Sequence, residues 1–146
     1  MNLVTKNKKA TYEYEIIQKI TAGIQLVGSE VKSIRNHKVS ISESYCYIKG
    51  GEMYIKGMHI SEYKQSGNYD NHDPIRDRKL LLNKIEINKL KDGIEQRGLT
   101  IIPISVIIDD RGLIKIEIAL SRGKKMHDKR NDIKKRDIER DLNLKF

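Results

Sequence analysis

From Leu113 to Leu120 the chain places Ile114, Ile116, Ile118 and Leu120 at alternate positions, with Lys115, Glu117 and Ala119 between them. Successive side chains of an extended strand point to opposite faces, so this run makes one continuous apolar face as a strand. A helix would spread the same residues around its whole surface. A strand with one apolar face needs neighbours and a core beneath it, and the rest of the sequence supplies both. Leu99 to Ile108 is a second apolar run, joined to the first through Asp109-Asp110-Arg111-Gly112. Pro103 inside it has no N–H to give to a ladder, which predicts an edge or a bulge. Tyr45 to Lys49 and Glu52 to Lys56 flank Gly50-Gly51. Two β-rich runs around a Gly-Gly pair predict a hairpin whose turn needs positive φ at both glycines.

Other strands are shorter. Tyr12 to Ile16 alternates with period two and reads as a half-buried strand. Gly23 is expected to interrupt before a second short strand, Ile24-Gln25-Leu26. Residues Lys6 to Lys9 read as a basic arm. Two helices are expected. The first starts near Gly28-Ser29, with Ser29 as N-cap and Val31 and Ile34 as its apolar pair. Its outer face carries Lys32, Arg35 and Lys38. The second runs from Lys84 to Arg97, with Asn83 and Glu86 at capping-box spacing, Ile87, Leu90 and Ile94 on one face, and Gly98 to end it. Gly93 within it weakens the helix by about 1 kcal/mol relative to Ala. Ser61 to Arg78 is a long polar loop. The fold class expected is mainly β with helices: a small antiparallel β-barrel of OB-like character flanked by short helices.

The last segment cannot join that core. Between Gly123 and Phe146 the apolar residues are only Met126, Ile133, Ile138, Leu142, Leu144 and Phe146, set among nine Lys or Arg and five Asp or Glu. Such a segment buries too little apolar surface to offset its ordering entropy. The division expected is a barrel domain over 1–122 and a basic C-terminal tail over 123–146, disordered alone or helical on a partner. The length of 146 residues suits one domain. The net charge of +9 and pI of about 9.6 favour a polyanionic partner, nucleic acid before an anionic membrane. A single cysteine, Cys46, excludes an internal disulfide framework and reads as a core thiol. No apolar run approaches the roughly 18 residues of a membrane span, and the N-terminus lacks a signal-peptide core, so a cytoplasmic location is expected.

Nothing in the motifs asks for catalysis, a cofactor or a metal. Asp70, His72 and Asp73 lie close together but match no metal template, and Pro74 points to turn chemistry. His37, His59 and His127 are scattered. No nucleophile elbow, P-loop or dinucleotide fingerprint occurs. Tyr45, Tyr47 and Tyr54 could stack on bases, but as strand residues they are read first as core aromatics. His127 is balanced between base stacking and a solvated tail position.

Several stretches, in order, resemble the small protein B family, the SsrA-binding proteins of bacterial trans-translation. They are Asn7-Lys8-Lys9-Ala10, Ala22-Gly23-Ile24, Gly28 to Arg35, Ser44-Tyr45, Met58-His59-Ile60, His72-Asp73-Pro74, Arg78 to Asn83, and Ser121 to Lys125 with His127-Asp128-Lys129-Arg130. The resemblance implies an RNA-binding protein without enzymatic activity. It implies binding to the tRNA-like domain of transfer-messenger RNA through Asn7, Lys8, Lys9, Gly23, Leu81, Lys115 and Arg122. It implies ribosome contacts through Gly123, Lys124, Lys125, His127, Asp128, Lys129 and Arg130, with the tail entering the empty messenger channel near the decoding centre and small-subunit rRNA. The elongation factor that delivers aminoacylated transfer-messenger RNA is the third implied partner. Thr21 departs from the pattern, standing where many members carry Glu. The alternatives from charge alone are a structural ribosomal protein or another constitutive basic RNA-binding barrel, and a metal-dependent nuclease built on Asp70, His72 and Asp73.

Overall fold

The computed structural model describes residues 2–63 and 71–124. In chain order the elements are β1 (Asn2–Lys6), α1 (Lys8–Glu13), β2 (Tyr14–Ile24), α2 (Gly28–Arg35), β3 (Val39–Ser40), β4 (Tyr45–Lys49), β5 (Glu52–Lys56), β6 (His59–Ile60), β7 (Arg78–Leu81), α3 (Lys84–Arg97), β8 (Thr100–Ile108) and β9 (Ile114–Gly123). The main sheet is antiparallel with order β1-β8-β4-β5-β7-β2-β9, and a further β8–β9 pairing brings the order back on itself. Pairing that returns in this way gives the mainly β, OB-like architecture expected from the sequence. β3 and β6 form a separate two-stranded ladder.

The alternation in β9 is what turns this sheet around one core. Ile114, Ile116, Ile118 and Leu120 are all buried, together with Ala22, Met53, Ile55, Leu80, Ile101 and Val106. The opposite face of β9 is not uniformly polar: Ala119 packs with Ala10, Ile102 and Ile104 in a second, smaller cluster. The β4–β5 turn has Gly50 and Gly51 at φ of 60° and 76°, the left-handed region that two-residue hairpins demand. Pro103 sits at a register shift of β8 against β9, a bulge that spares the missing N–H.

Helix α3 has the expected limits. Asn83 Oδ1 accepts from the Glu86 N–H at 2.8 Å, Glu86 Oε1 accepts from the Asn83 N–H at 3.1 Å, and Gly98 closes the helix at a φ of 64°. Gly93 has a packing reason: a Cβ there would stand 2.6 Å from Leu120 Cδ2. The helix lies on the sheet at that point.

Five local expectations are corrected. The basic arm at Lys6 to Lys9 is instead the end of β1 and the start of α1, because Asn7 caps that helix with Oδ1 accepting from the Ala10 N–H at 3.2 Å. Tyr12 and Glu13 are therefore helical, and the strand begins at Tyr14. Gly23 does not break a strand; β2 runs through it, paired on both sides. Ser29 is not the N-cap of α2: Val27 takes that place, its N–H donating to Glu30 Oε1 at 2.9 Å, while Ser29 is buried against His72. Finally, β9 extends to Gly123, and Lys124 donates its N–H to the Glu13 carbonyl at 2.9 Å. Gly123 and Lys124 thus belong to the folded body, whereas residues 125–146 of the expected tail lie outside the described residues.

Candidate nucleic-acid interface

Three of the residues singled out by resemblance meet at one place. Gly23 of β2 pairs with Leu81 of β7 on one side and with Lys115 of β9 on the other. A Cβ at Gly23 would stand 3.3 Å from Leu81 Cβ, so the bare backbone keeps a depression open between them. The result is a groove of about 270 Å³ lined by Gly23, Ile24, Leu26, Val31, Leu81 and Ile114, with Arg35 and Lys115 at its rim. Leu81 and Leu113 are each 52% exposed. Arg35 Nη2 donates to the Gly112 carbonyl at 3.3 Å and so ties α2 to the β8–β9 turn. Chemically the groove offers an apolar floor with cations at its edge. That suits sugar or base faces below and phosphates at the rim. Thr21 lies two residues from Gly23 and faces Glu117 across β9, whose Oε1 is 3.6 Å from Lys19 Nζ. A carboxylate therefore stands on β9 directly opposite position 21.

The remaining body residues gather elsewhere. Arg122 is opposite Glu15 at the far end of the β2–β9 ribbon, about 23 Å from Lys115 at roughly 3.3 Å per residue. Lys8 and Lys9 stand on α1 at that same end. Lys9 Nζ is 3.0 Å from Glu43 Oε1 and Arg122 Nη1 is 3.7 Å from Glu15 Oε2. The hydrogen bond and charge of Glu43 raise the Lys9 pKa. Exposed, solvent-screened pairs of this kind are weak, so phosphates can displace them. Lys124 Nζ donates to the Thr11 carbonyl at 3.1 Å, anchoring the root of the tail on α1. Asn7 differs from its neighbours: it is buried, with Nδ2 donating to the carbonyls of Pro103 at 3.0 Å and Ile41 at 3.3 Å. It holds α1 against the sheet. Lys125, His127, Asp128, Lys129 and Arg130 lie outside the described residues.

The structure also shows groups that the sequence left unassigned. Glu30 is fully buried; its carboxylate accepts from Arg76 Nη2 and, on the other oxygen, from Arg78 Nε and Arg76 Nε. Arg78, also fully buried, donates to the carbonyls of Met58 at 2.8 Å and Arg76 at 3.1 Å. This knot fastens α2, β7 and the residues just before β7 together, and residues so far apart in sequence carry no local signal of it. His72 has Nδ1 against Ser29 Oγ and Nε2 against the Ile60 carbonyl, both at 2.8 Å, which engages both ring nitrogens. Asp73 Oδ1 accepts from the Ile75 N–H at 3.0 Å, the turn chemistry read from Pro74. Asp70 is outside the described residues, and among those described no cluster of His, Cys, Asp and Glu could hold a metal. Cys46 is buried, and burial pushes its thiol pKa up. The tyrosines correct the sequence reading: they are not core aromatics. Tyr45 is exposed, and Tyr47 and Tyr54 stack on the outer face of the hairpin. The core takes Cys46, Met53 and Ile55 from the other face. Among the described residues no helix is long and apolar enough to cross a membrane.

Comparison with known proteins places these features in context. A model of the SmpB protein family matches residues 4–146. The SsrA-binding protein of Acetivibrio thermocellus is 52% identical over 144 residues, covering 99% of this chain and 92% of the relative. That of Bacteroides thetaiotaomicron is 48% identical over 141 residues, covering 97% of this chain and 93% of the relative. Among solved structures, a chain of "tmRNA-SmpB: a journey to the center of the bacterial ribosome" superposes with a TM-score of 0.69 at 42% identity, covering 84% of this chain and 85% of that one.

Proposed function

The chain belongs to the SmpB protein family, and from that membership and the two cationic ends of its sheet we propose how it works. It is an RNA-binding protein that binds transfer-messenger RNA and acts with it on the bacterial ribosome in trans-translation. The groove at Gly23, Leu81 and Lys115 takes the tRNA-like domain of that RNA, recognising its shape and backbone. The α1 end, with Lys8, Lys9 and Arg122, lies at the other end of the β2–β9 ribbon, offers further phosphate contacts to the same RNA, and carries the root of the tail at Gly123 and Lys124. Residues 125–146 then run into the vacant messenger channel, where Lys125, His127, Asp128, Lys129 and Arg130 meet ribosomal RNA.

One observation carries this division of labour: Lys115 and Arg122 stand at opposite ends of the ribbon formed by β2 and β9. One RNA body can then be gripped while another receives the tail. The test cuts the chain after Lys124, keeping all of β9. Affinity for transfer-messenger RNA should stay close to that of the full chain, while peptide tagging on ribosomes stalled at the end of a message should be lost. Full tagging by the shortened chain removes the tail from the mechanism. In the same assay Lys115→Ala should weaken RNA binding and reduce the log–log salt slope by about one.

A further inference from the structure

Three tyrosines line up on the outside of the β4–β5 hairpin, and the groove does not use them. Tyr47 stands opposite Tyr54, with ring centroids 5.5 Å apart and planes 21° apart. Tyr45 follows on β4, its ring 6.5 Å from that of Tyr47, and is 47% exposed. The Tyr47 hydroxyl donates to Asp77 Oδ2 at 2.6 Å, which fixes the middle ring. Lysines border the rings: Lys56 is opposite Tyr45, Lys79 is opposite Tyr54 on β7, and Lys49 lies by the turn. Lys79 is 3.3 Å from Glu52, and with Asp77 the two carboxylates leave the strip net positive.

The strip is continuous with the groove. Lys79 and Leu81 are two residues apart on β7, hence on the same face and about 7 Å from each other. Lys79 is opposite Tyr54, and Leu81 is opposite Gly23. A ligand following β7 passes from the groove onto the tyrosines without crossing the barrel.

We propose that Tyr45, Tyr47 and Tyr54 form a second docking surface for transfer-messenger RNA, on which unpaired bases of that RNA stack. The inference rests on the groove reading above. Strand-borne aromatic rings bordered by lysines are the chemistry that single-stranded nucleic acid needs: a π-face for any base and cations for the phosphates beside it. A paired RNA stem keeps its bases inside and cannot use such rings, so the segment bound here is unpaired. The RNA is the one already in the groove, because β7 carries the strip into it through Lys79 and Leu81; at the other end of the strip Tyr45 lies beside Lys9 and Tyr14.

The experiment uses the full chain and a transfer-messenger RNA transcript, with affinity measured across a salt series. Tyr45→Leu/Tyr54→Leu keeps apolar, strand-compatible residues but removes two π-faces. Affinity should fall about ten-fold or more at unchanged salt slope, since no charge is altered. Tyr45→Phe/Tyr54→Phe should bind like the parent. If the Phe pair is as weak as the Leu pair, stacking is refuted. If the Leu pair binds like the parent while Lys115→Ala is weakened, the strip falls and the groove stands. If neither changes affinity, both readings fall. Cross-linking the unmutated chain to a 4-thiouridine-substituted transcript guards against misfolded variants. Cross-links are expected in residues 45–56 as well as at the groove. Cross-links at the groove alone, or in 45–56 only when ribosomes are added, overturn the proposal.

Discussion

Thr21 and Glu117 face each other across β2 and β9, with Lys19 close to the carboxylate. Placing an acid at position 21 would set two like charges directly opposite, a pairing that costs about 0.2–1 kcal/mol on a sheet face. Thr21→Glu is therefore expected to lower stability by roughly 0.5 kcal/mol in low salt. The loss should shrink in a Glu117→Gln background, and a double-mutant cycle by urea unfolding measures the difference. An equal loss in both backgrounds would show that strand propensity, not charge, is responsible. At this scale the sequence was uneven. Gly50-Gly51 announced its own turn, because positive φ is a property of glycine. Asn7 gave no comparable notice: the three backbone groups its side chain engages come from residues 10, 41 and 103.

Helix α3 was legible from end to end, since caps, spacing and the terminal glycine are all local. Its interior Gly93 was legible only as a penalty. The packing explains it: Leu120 side-chain atoms occupy the space a Cβ would enter, and Leu120 is itself buried. Gly93→Ala gains about 1 kcal/mol of helix propensity but overpacks the helix–sheet contact by about 1–3 kcal/mol. A net destabilisation of about 1 kcal/mol is expected from the difference of those terms, recovered when Leu120→Val makes room. Chemical denaturation of the two variants checks it; a more stable Gly93→Ala protein would mean that the helix can slide off the sheet. Strand β2 shows the reverse error. Gly23 looked like a breaker because glycine weakens strands, yet Leu81 needs the space it leaves.

Across the whole molecule, the Glu30–Arg76–Arg78 knot joins parts that no window of sequence brings together. Burial alone would raise the Glu30 pKa, but hydrogen bonds from Arg76, the Val27 N–H and Arg78 outweigh it and hold the carboxyl below its usual value. A carboxyl with a depressed folded pKa stabilises above its unfolded value, about 4.3 for Glu, and loses that contribution as pH falls through the folded one. Glu30→Gln should be less stable than the parent by about 3–5 kcal/mol at pH 7, because buried guanidinium is left without its counter-charge. Urea unfolding at neutral and strongly acid pH should show the gap narrowing in acid; a constant gap would assign the loss to packing. Composition and periodicity alone determined the strand-rich class, the basic charge balance, the hairpin and helix α3, because each follows from residues near one another in the chain. Only the tertiary structure decided that Gly23, Leu81 and Lys115 make one groove, that Arg122 lies at the other end, and that the tyrosines face outward. Those depend on strand register, and register is set by how one shared core is filled rather than by any strand's own sequence.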